Sequence, residues 1–145
     1  MRPILIREAM VYVTRIEKFN AAHKLWVNSW SEEKNWEVFG KCANPNWHGH
    51  NYTLYVTVKG KPDPVTGFLL DARVLSRIIN DEVLEHLDHK NLNLDVPFIP
   101  ENMLPSTENL VMVIWNLLND KIPNGQLHAI KLYETDKIYV EYFGE

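Results

Sequence analysis

Two histidines one residue apart, His48 and His50, are the clearest candidates for chemistry in this sequence. Apolar and polar residues alternate from His48 to Lys59, and that alternation predicts a β-strand. On a strand, side chains two residues apart point to the same face about 6.6–6.8 Å apart, so both imidazoles can converge on one ion. A third histidine, His23, closes an earlier predicted strand. Three imidazole nitrogens plus an open position are typical of catalytic rather than structural zinc.

The same three histidines also allow a purely structural interpretation. A His-x-His pair on a strand is more often two half-buried rings that hydrogen-bond to backbone carbonyls than a metal site. A third histidine at a strand position improves the case for a metal without deciding it. On the residues alone, a zinc site and a set of buried structural histidines therefore both remain open.

Cys42 is the only cysteine of the chain and lies in a polar turn six residues before His48. A single cysteine excludes an internal disulfide and favours a reducing compartment. A cation or metal close to the thiol would favour the thiolate, since lowering a thiol pKa from about 8.5 to near 7 needs only about 2 kcal/mol. The alternative is a small, buried and unreactive side chain, which is the commoner state of a solitary cysteine.

Two further polar groups are weaker candidates. Asp88 and His89 could form a polarised pair across a site, although adjacent residues cannot easily orient one another. Their position also suits a helix C-terminus, where histidine and lysine complement the helix dipole, and the residues alone favour that interpretation. Glu134, at a strand end, could accept paired N–H donors from a pterin or guanine ring through bidentate bonds. Surface carboxylates without such a role are far commoner.

The elements that must position these residues begin with a strand. The β-branched and aromatic composition of Val11 to His23 predicts it, and the alternation slips between Val13 and Ile16, as in a bulged strand. The next segment, Lys24 to Asn46, has no hydrophobic period. It is therefore predicted to be a long loop, of the kind that is usually functional or mobile.

Two helices and two strands are predicted in the remainder of the chain. Asp71 and Ser106 are suitable N-caps, and each precedes apolar residues at helical spacing. Strands from Leu127 to Glu134 and from Ile138 to Phe143 are separated by a connection of hairpin length. The order ββααββ predicts an α+β fold, in which an antiparallel sheet carries both helices on one face.

Length and composition bound the remaining possibilities. The 145 residues fit one domain, residues 1–145, and 46% hydrophobic with 23% charged residues is the composition of a globular protein. The formal charge of −4 argues against nucleic-acid and membrane partners. The first eight residues hold only a brief apolar run, too short for a signal peptide or a spanning helix. A cytoplasmic location is therefore expected.

Motifs spread over nearly the whole chain resemble, in order, those of the 6-pyruvoyl-tetrahydropterin synthase family: Phe19–His23, Phe39–Tyr52, Leu87–Leu92, Ser106–Asn109 and Tyr133–Asp136. The resemblance implies the tunnelling fold. In that fold, ββααββ subunits associate through their strands into barrels, and two trimers stack into a homohexamer. One departure is Trp47, a position where close relatives often have glycine.

The resemblance also implies a zinc site and a proton relay. The zinc ligands would be three histidines: His23, His48 and His50. The base would be the thiol of Cys42. A pair from a neighbouring subunit, Asp88 and His89, would approach this thiol and activate it, which would remove the objection that adjacent residues cannot orient one another.

The implied substrate is 7,8-dihydroneopterin triphosphate. Loss of triphosphate, followed by internal oxidation and reduction of the side chain, would give 6-pyruvoyl-tetrahydropterin for tetrahydrobiopterin biosynthesis, with no nicotinamide or flavin. Mg²⁺ is expected to accompany the triphosphate, and Lys24 is the candidate cation of the chain. Glu134 would anchor the pterin ring and is sometimes counted among the catalytic residues. The pterin pocket would be lined by Thr107, Ser106 and Glu108.

Two alternative functions stay open. The related 6-carboxy-tetrahydropterin synthases more often have fewer residues between the cysteine and the His-Gly-His motif than the five residues found here. That enzyme is the second candidate. The third is a module that binds zinc or a pterin without turnover.

Overall fold

A computed structural model describes residues 1–4 and 8–145 of the chain. The brief apolar run within the first eight residues lies partly outside these ranges. Within them, one sheet contains β1 (Val11–His23), β2 (His48–Gly60), β3 (Lys90–Asn91), β4 (Gln126–Thr135) and β5 (Ile138–Tyr142). The helices are α1 (Glu32–Phe39), α2 (Ala72–Ile79), α3 (Glu85–Leu87) and α4 (Thr107–Leu118). The predicted α+β class is confirmed.

The sheet is mixed, with the strand order β3-β1-β2-β4-β5. β1, β2, β4 and β5 pair antiparallel as predicted, whereas β3 runs parallel to β1. The chain lies back along β1 here because the amide of His89 donates to the carbonyl of Asn20, and the amide of Leu92 to that of Ala22. The expectation of a wholly antiparallel sheet missed this edge because two residues are too few to leave a pattern in the sequence.

β1 and β2 pair along their full lengths, and their register ends with His23 opposite His48. Side chains on the two strands alternate between the faces of the sheet, so His50 shares the face of both residues. This is the face that the helices cover. Strand pairing alone therefore brings His23 beside His48 and His50, which lie far from it in the sequence.

The bulge predicted in β1 between Val13 and Ile16 is wrong, because the register there is continuous. The alternation slips because polar Arg15 and Glu17 occupy positions on the helix-covered face. The free-energy cost of placing these two polar side chains on the covered face is reduced, because the Glu17 carboxylate accepts hydrogen bonds from Arg15 at 2.9 Å and from Ser76 of α2 at 2.6 Å. The irregularity that does occur near the middle of the sheet lies between β2 and β4.

The helices cover one face of the sheet, as predicted. Both N-caps are confirmed: the Asp71 carboxylate accepts from the amide of Arg73 at 2.8 Å, and the Ser106 hydroxyl from that of Asn109 at 3.2 Å. α2 continues through a π-helical turn (Asn80–Leu84) directly into α3. The core between helices and sheet includes Leu54, Val56, Leu75, Ile79, Leu110, Ile114, Ile130 and Leu132. Within the described ranges, no helix combines the length and apolar character that a membrane crossing requires.

The segment predicted as a long loop contains α1 and a 3₁₀ turn (Gly40–Ala43). The Ser31 hydroxyl caps α1 by accepting from the amide of Lys34 at 3.1 Å. The buried residue of this helix is a polar one, Asn35, whose side chain bonds to both backbone groups of Val27 and to the carbonyl of Ser31. Because the Asn35 side chain rather than a row of apolar residues holds this helix in place, the sequence shows no apolar residues at helical spacing there.

Candidate active site

The three histidines predicted to share a site lie together at the end of β1 and the start of β2. Their ring centroids are 4.5 Å apart for His23 and His48, 5.0 Å for His23 and His50, and 4.9 Å for His48 and His50. One donor atom from each ring and a carboxylate oxygen of Glu134 all lie within 4.8 Å of one another. A cluster of this size fits around a single metal ion. We call the three histidines the histidine cluster.

The orientation of the rings distinguishes a metal site from a set of structural histidines. His23 is only 1% exposed, and its Nδ1 lies 2.7 Å from the carbonyl oxygen of Pro105. A carbonyl accepts, so Nδ1 carries the proton and Nε2 presents a lone pair. Among the described residues, that Nε2, both nitrogens of His48 and Nε2 of His50 have no hydrogen-bond partner. A ring that donates to a carbonyl through one nitrogen and leaves the other free is the arrangement found in metal-binding histidines.

Burial keeps these rings in the form that binds metals. The pKa of His23, of His48 and of His50 is lowered, in each case chiefly because burial disfavours the charged imidazolium. Neighbouring histidines lower the pKa values further, while Glu134 acts in the opposite direction. Neutral imidazole is the ligand form for zinc and similar metals. The residues present therefore fit a bound metal ion.

Glu134 contacts the cluster from β4. Its Oε1 lies 2.9 Å from Nε2 of His50 and 3.9 Å from Nε2 of His23, while Oε2 accepts a hydrogen bond from the Thr107 hydroxyl at 2.7 Å. The contact with His50 is short but is not aligned as a hydrogen bond. The carboxylate is thus placed either to approach a metal or to receive N–H donors of a ligand. The sequence predicted the second role for Glu134 and missed its closeness to the imidazoles.

Cys42 lies in the 3₁₀ turn that follows α1, and its carbonyl accepts from the amide of Leu25 at 2.8 Å. Partial burial, and then the negative charge of Glu134, raise the pKa of the Cys42 thiol. The chain's own groups therefore oppose the thiolate that the sequence analysis considered. A cation held by the histidine cluster would act in the other direction.

Asp88 and His89 form a pair within one chain, at the turn between α3 and β3. The Asp88 carboxylate lies 3.0 Å from Nδ1 of His89 and also accepts from the amide of Asn20 at 3.0 Å. The two residues are adjacent in the chain, and His89 has a φ of +61°, in the left-handed region. The Asn20 amide, followed by His89, holds the pKa of Asp88 below its usual range. The His89 ring is 76% exposed, unlike the buried histidine cluster.

The other predicted substrate contacts are dispersed around the cluster. Thr107 is buried and bonded to Glu134. Ser106 caps α4 and lines a cavity of about 510 Å³, and Glu108 is exposed in the first turn of α4. Lys24 follows His23 and lines a separate cavity of about 500 Å³, where its Nζ lies 4.9 Å from the ring centroid of Trp47 and 5.4 Å from that of Trp26.

Sequence reasoning missed Tyr52 as a site residue. The alternation from His48 to Lys59 puts Tyr52 on the same face as His48 and His50, but it assigns no role to the hydroxyl. The side chain is 1% exposed, and the hydroxyl has no hydrogen-bond partner among the described residues. The available signal was its spacing: Tyr52 lies two residues after His50 and must share the histidine face.

Comparisons with known proteins, by sequence and by structure, all point to one family over nearly the whole chain. The sequence model of a family described as 6-pyruvoyl tetrahydropterin synthase matches residues 12–145. A Homo sapiens relative, 6-pyruvoyl tetrahydrobiopterin synthase, is 42% identical over 139 residues, covering 96% of this chain and 95% of the relative. The protein of that name from Poecilia reticulata is 44% identical over 138 residues, covering 95% and 93%. The solved structure of Caenorhabditis elegans 6-pyruvoyl tetrahydropterin synthase is 34% identical, with a TM-score of 0.88 over 97% of this chain and 100% of that chain.

Proposed function

Because the chain belongs to the 6-pyruvoyl tetrahydropterin synthase family, we propose that it converts 7,8-dihydroneopterin triphosphate to 6-pyruvoyl tetrahydropterin with release of triphosphate. This is a lyase reaction of tetrahydrobiopterin biosynthesis. The observation that carries the proposal is the histidine cluster, in which one ligand atom from each ring lies within 4.8 Å of the others and the free ring nitrogens have no partner among the described residues. Such a cluster next to a thiol and a carboxylate suits an elimination in which protons move and negative charge develops.

Zinc is the metal that we propose for the cluster. Three imidazole nitrogens, from His23, His48 and His50, would hold it and leave an open position for the substrate. When bound, zinc supplies Lewis-acid chemistry that stabilises negative charge on oxygen. The Pro105 carbonyl fixes the tautomer and orientation of His23, so one ligand is pre-oriented before any metal arrives.

Proton transfer is assigned to Cys42, and recognition of the pterin to Glu134. A general base needs a position beside the carbon that loses the proton, and Cys42 is close enough to the cluster for Glu134 to affect its pKa. The Glu134 carboxylate is oriented by the Thr107 hydroxyl at 2.7 Å, which leaves it able to accept two N–H donors from a pterin ring. Ser106 and Glu108 are proposed to complete this pocket.

We propose that Asp88 and His89 act on Cys42 of a neighbouring subunit in a homohexamer built of two trimers. The exposed His89 ring supports this assignment, since it is held by Asp88 and extends away from the core of its own chain. The sheet also ends in short strands, β3 and β5, which can extend by pairing with further copies. Barrels formed through the strands would follow from such pairing.

The triphosphate is proposed to bind as its Mg²⁺ complex, with Lys24 as the cation of the chain that lies next to a cluster residue. A cytoplasmic enzyme acting on a small molecule accords with the single cysteine and the formal charge of −4. Neither feature favours a nucleic-acid or membrane partner.

The proposed function is tested by product analysis. Purified zinc-loaded protein is incubated with 7,8-dihydroneopterin triphosphate and Mg²⁺, and the products are identified by mass spectrometry. Triphosphate together with a three-carbon diketo side chain is the expected result. Triphosphate with a 6-carboxy product would transfer the assignment to the related carboxy synthase. Folded, zinc-loaded protein that releases no triphosphate would refute the lyase and leave a binding module.

A further inference from the structure

The hydroxyl of Tyr52 is a buried polar group that the proposed function does not use. The residue is 1% exposed, and within the described ranges its oxygen finds no hydrogen-bond partner. Buried polar side-chain atoms in folded proteins are nearly always paired. An unpaired hydroxyl beside a candidate reaction centre therefore points to a partner that arrives with the ligand.

The ring of Tyr52 is fixed on the histidine face of the sheet. It stacks on Phe19 with a centroid distance of 4.8 Å and an interplanar angle of 12°. The centroid of His50 lies 5.6 Å away and that of His23 6.4 Å away, both with nearly perpendicular ring planes. A stacked ring held between strand neighbours has little freedom, so its hydroxyl is presented at one place in the site.

The hydroxyl of Tyr52 can donate a hydrogen bond, as any tyrosine hydroxyl can at neutral pH. Among the described residues, neither Glu134 nor Cys42 accepts that bond. Glu134 is already engaged by Thr107 through one oxygen and lies against His50 through the other. The described residues thus supply no acceptor for this hydroxyl, and a ligand atom can take that place.

Building on the proposed function, we propose that Tyr52 is a further catalytic residue, whose hydroxyl donates a hydrogen bond to a side-chain oxygen of the pterin substrate lying between the histidine cluster and Cys42. The bond strengthens as negative charge develops on that oxygen. A fixed donor aimed at a developing oxyanion typically contributes about 10²–10³-fold to kcat. A neutral hydrogen bond to the unreacted polyol contributes less, about three- to tenfold in affinity.

The test replaces Tyr52 by phenylalanine, with Tyr55→Phe as the matched control. Both changes remove one hydroxyl from β2, but Tyr55 lies on the opposite face of the sheet, beside Tyr133. For Tyr52→Phe we expect kcat to fall about 100-fold with KM changed much less, and the affinity for 7,8-dihydroneopterin, followed by its fluorescence, to fall about three- to tenfold. Metal content should match that of the wild type and the melting temperature should be equal or higher, because the lost hydroxyl has no partner among the described residues. Tyr55→Phe should change none of these quantities.

Turnover and affinity of Tyr52→Phe within twofold of the wild type would overturn the inference. Loss of metal in proportion to activity would also overturn it, because the hydroxyl would then organise the histidine cluster and not the substrate. A wild-type protein that binds 7,8-dihydroneopterin but releases no triphosphate refutes the proposed function alone, since the binding comparison still decides the role of Tyr52. A wild-type protein that binds no dihydropterin overturns both.

Discussion

Replacing Trp47 by glycine and by alanine separates the cost of its backbone conformation from the contribution of its ring. Trp47 has a φ of +69°, in the left-handed region, and it immediately precedes His48 of the histidine cluster. Its ring lies 4.9 Å from Nζ of Lys24. Both substitutions remove that cation–π contact, whose contribution is about 0.5–1 kcal/mol at an exposed site. The two variants differ in how well the new residue tolerates the positive φ at this position.

The expected difference follows from two opposing effects. An L-residue in the left-handed region costs about 1–2 kcal/mol, which Trp47→Ala retains and Trp47→Gly removes. Glycine increases the entropy of the unfolded chain, which offsets about 0.4–1 kcal/mol of that gain. We therefore predict that Trp47→Gly is about 1 kcal/mol more stable to unfolding than Trp47→Ala. For a chain of this size, that corresponds to a difference in melting temperature of about 2–4 °C.

Urea and thermal unfolding of the two variants, at one protein concentration and one zinc concentration, measure this difference. The control is the same pair of changes at Asn46, whose φ is not among the positive values in the described chain. There the order should reverse, with Asn46→Gly less stable than Asn46→Ala by about 0.4–1 kcal/mol. A Trp47→Gly variant no more stable than Trp47→Ala would refute the strain that we assign to this turn.

Four further predictions concern the site itself. His48→Ala should lower the zinc content measured by atomic emission to near zero. The control His128→Ala changes a histidine outside the cluster and should leave the zinc content at the wild-type level. Retained zinc in His48→Ala would contradict the ligand assignment. Thr107→Val leaves Glu134 without its donor and should raise KM at least about tenfold, a loss that Thr107→Ser restores; an unchanged KM would mean that this bond does not position the carboxylate. Cys42→Ala should lower kcat about 10²–10⁴-fold with zinc retained. Because burial and Glu134 raise the pKa of the Cys42 thiol, the alkylation rate of the metal-free protein should reach its half-maximum at a higher pH than that of an ordinary cysteine. Adding zinc should move this half-maximum to lower pH. A half-maximum that zinc does not move would contradict the electrostatic link between the metal and the thiol.

Much of the cluster could be predicted because it depends on local alternation and on one strand pairing. The placement of His48 and His50 on one face needs only the twofold period of a strand. The addition of His23 needs β1 and β2 to be antiparallel neighbours, which is the usual relation of two successive strands without an intervening crossover helix. Both conditions are met in the structure.

The features that could not be predicted depend on polar contacts between distant segments. α1 is held by the buried amide of Asn35, so its sequence lacks the helical spacing of apolar residues that would have predicted it. The pairing of Asp88 with His89 occurs where the His89 backbone has a left-handed φ, which few non-glycine residues adopt. The approach of Glu134 to His50 requires β4 to pair with β2, a contact between residues 84 positions apart in the sequence. None of these contacts leaves a periodic signal.

The distribution of unpaired polar atoms gives the strongest physical argument for where ligands bind. In the described chain, the buried side-chain nitrogens and oxygens without partners belong to His23, His48, His50 and Tyr52, all on one face of β1 and β2. The amide of buried Asn35, in α1, is by contrast fully hydrogen-bonded to backbone groups. Because each unpaired buried group costs folding free energy, several such groups together on one face point to a metal or substrate that pairs with them on binding. A one-residue slip of β1 against β2 would move His23 to the opposite face, so the register that buries the core is the same register that assembles the site.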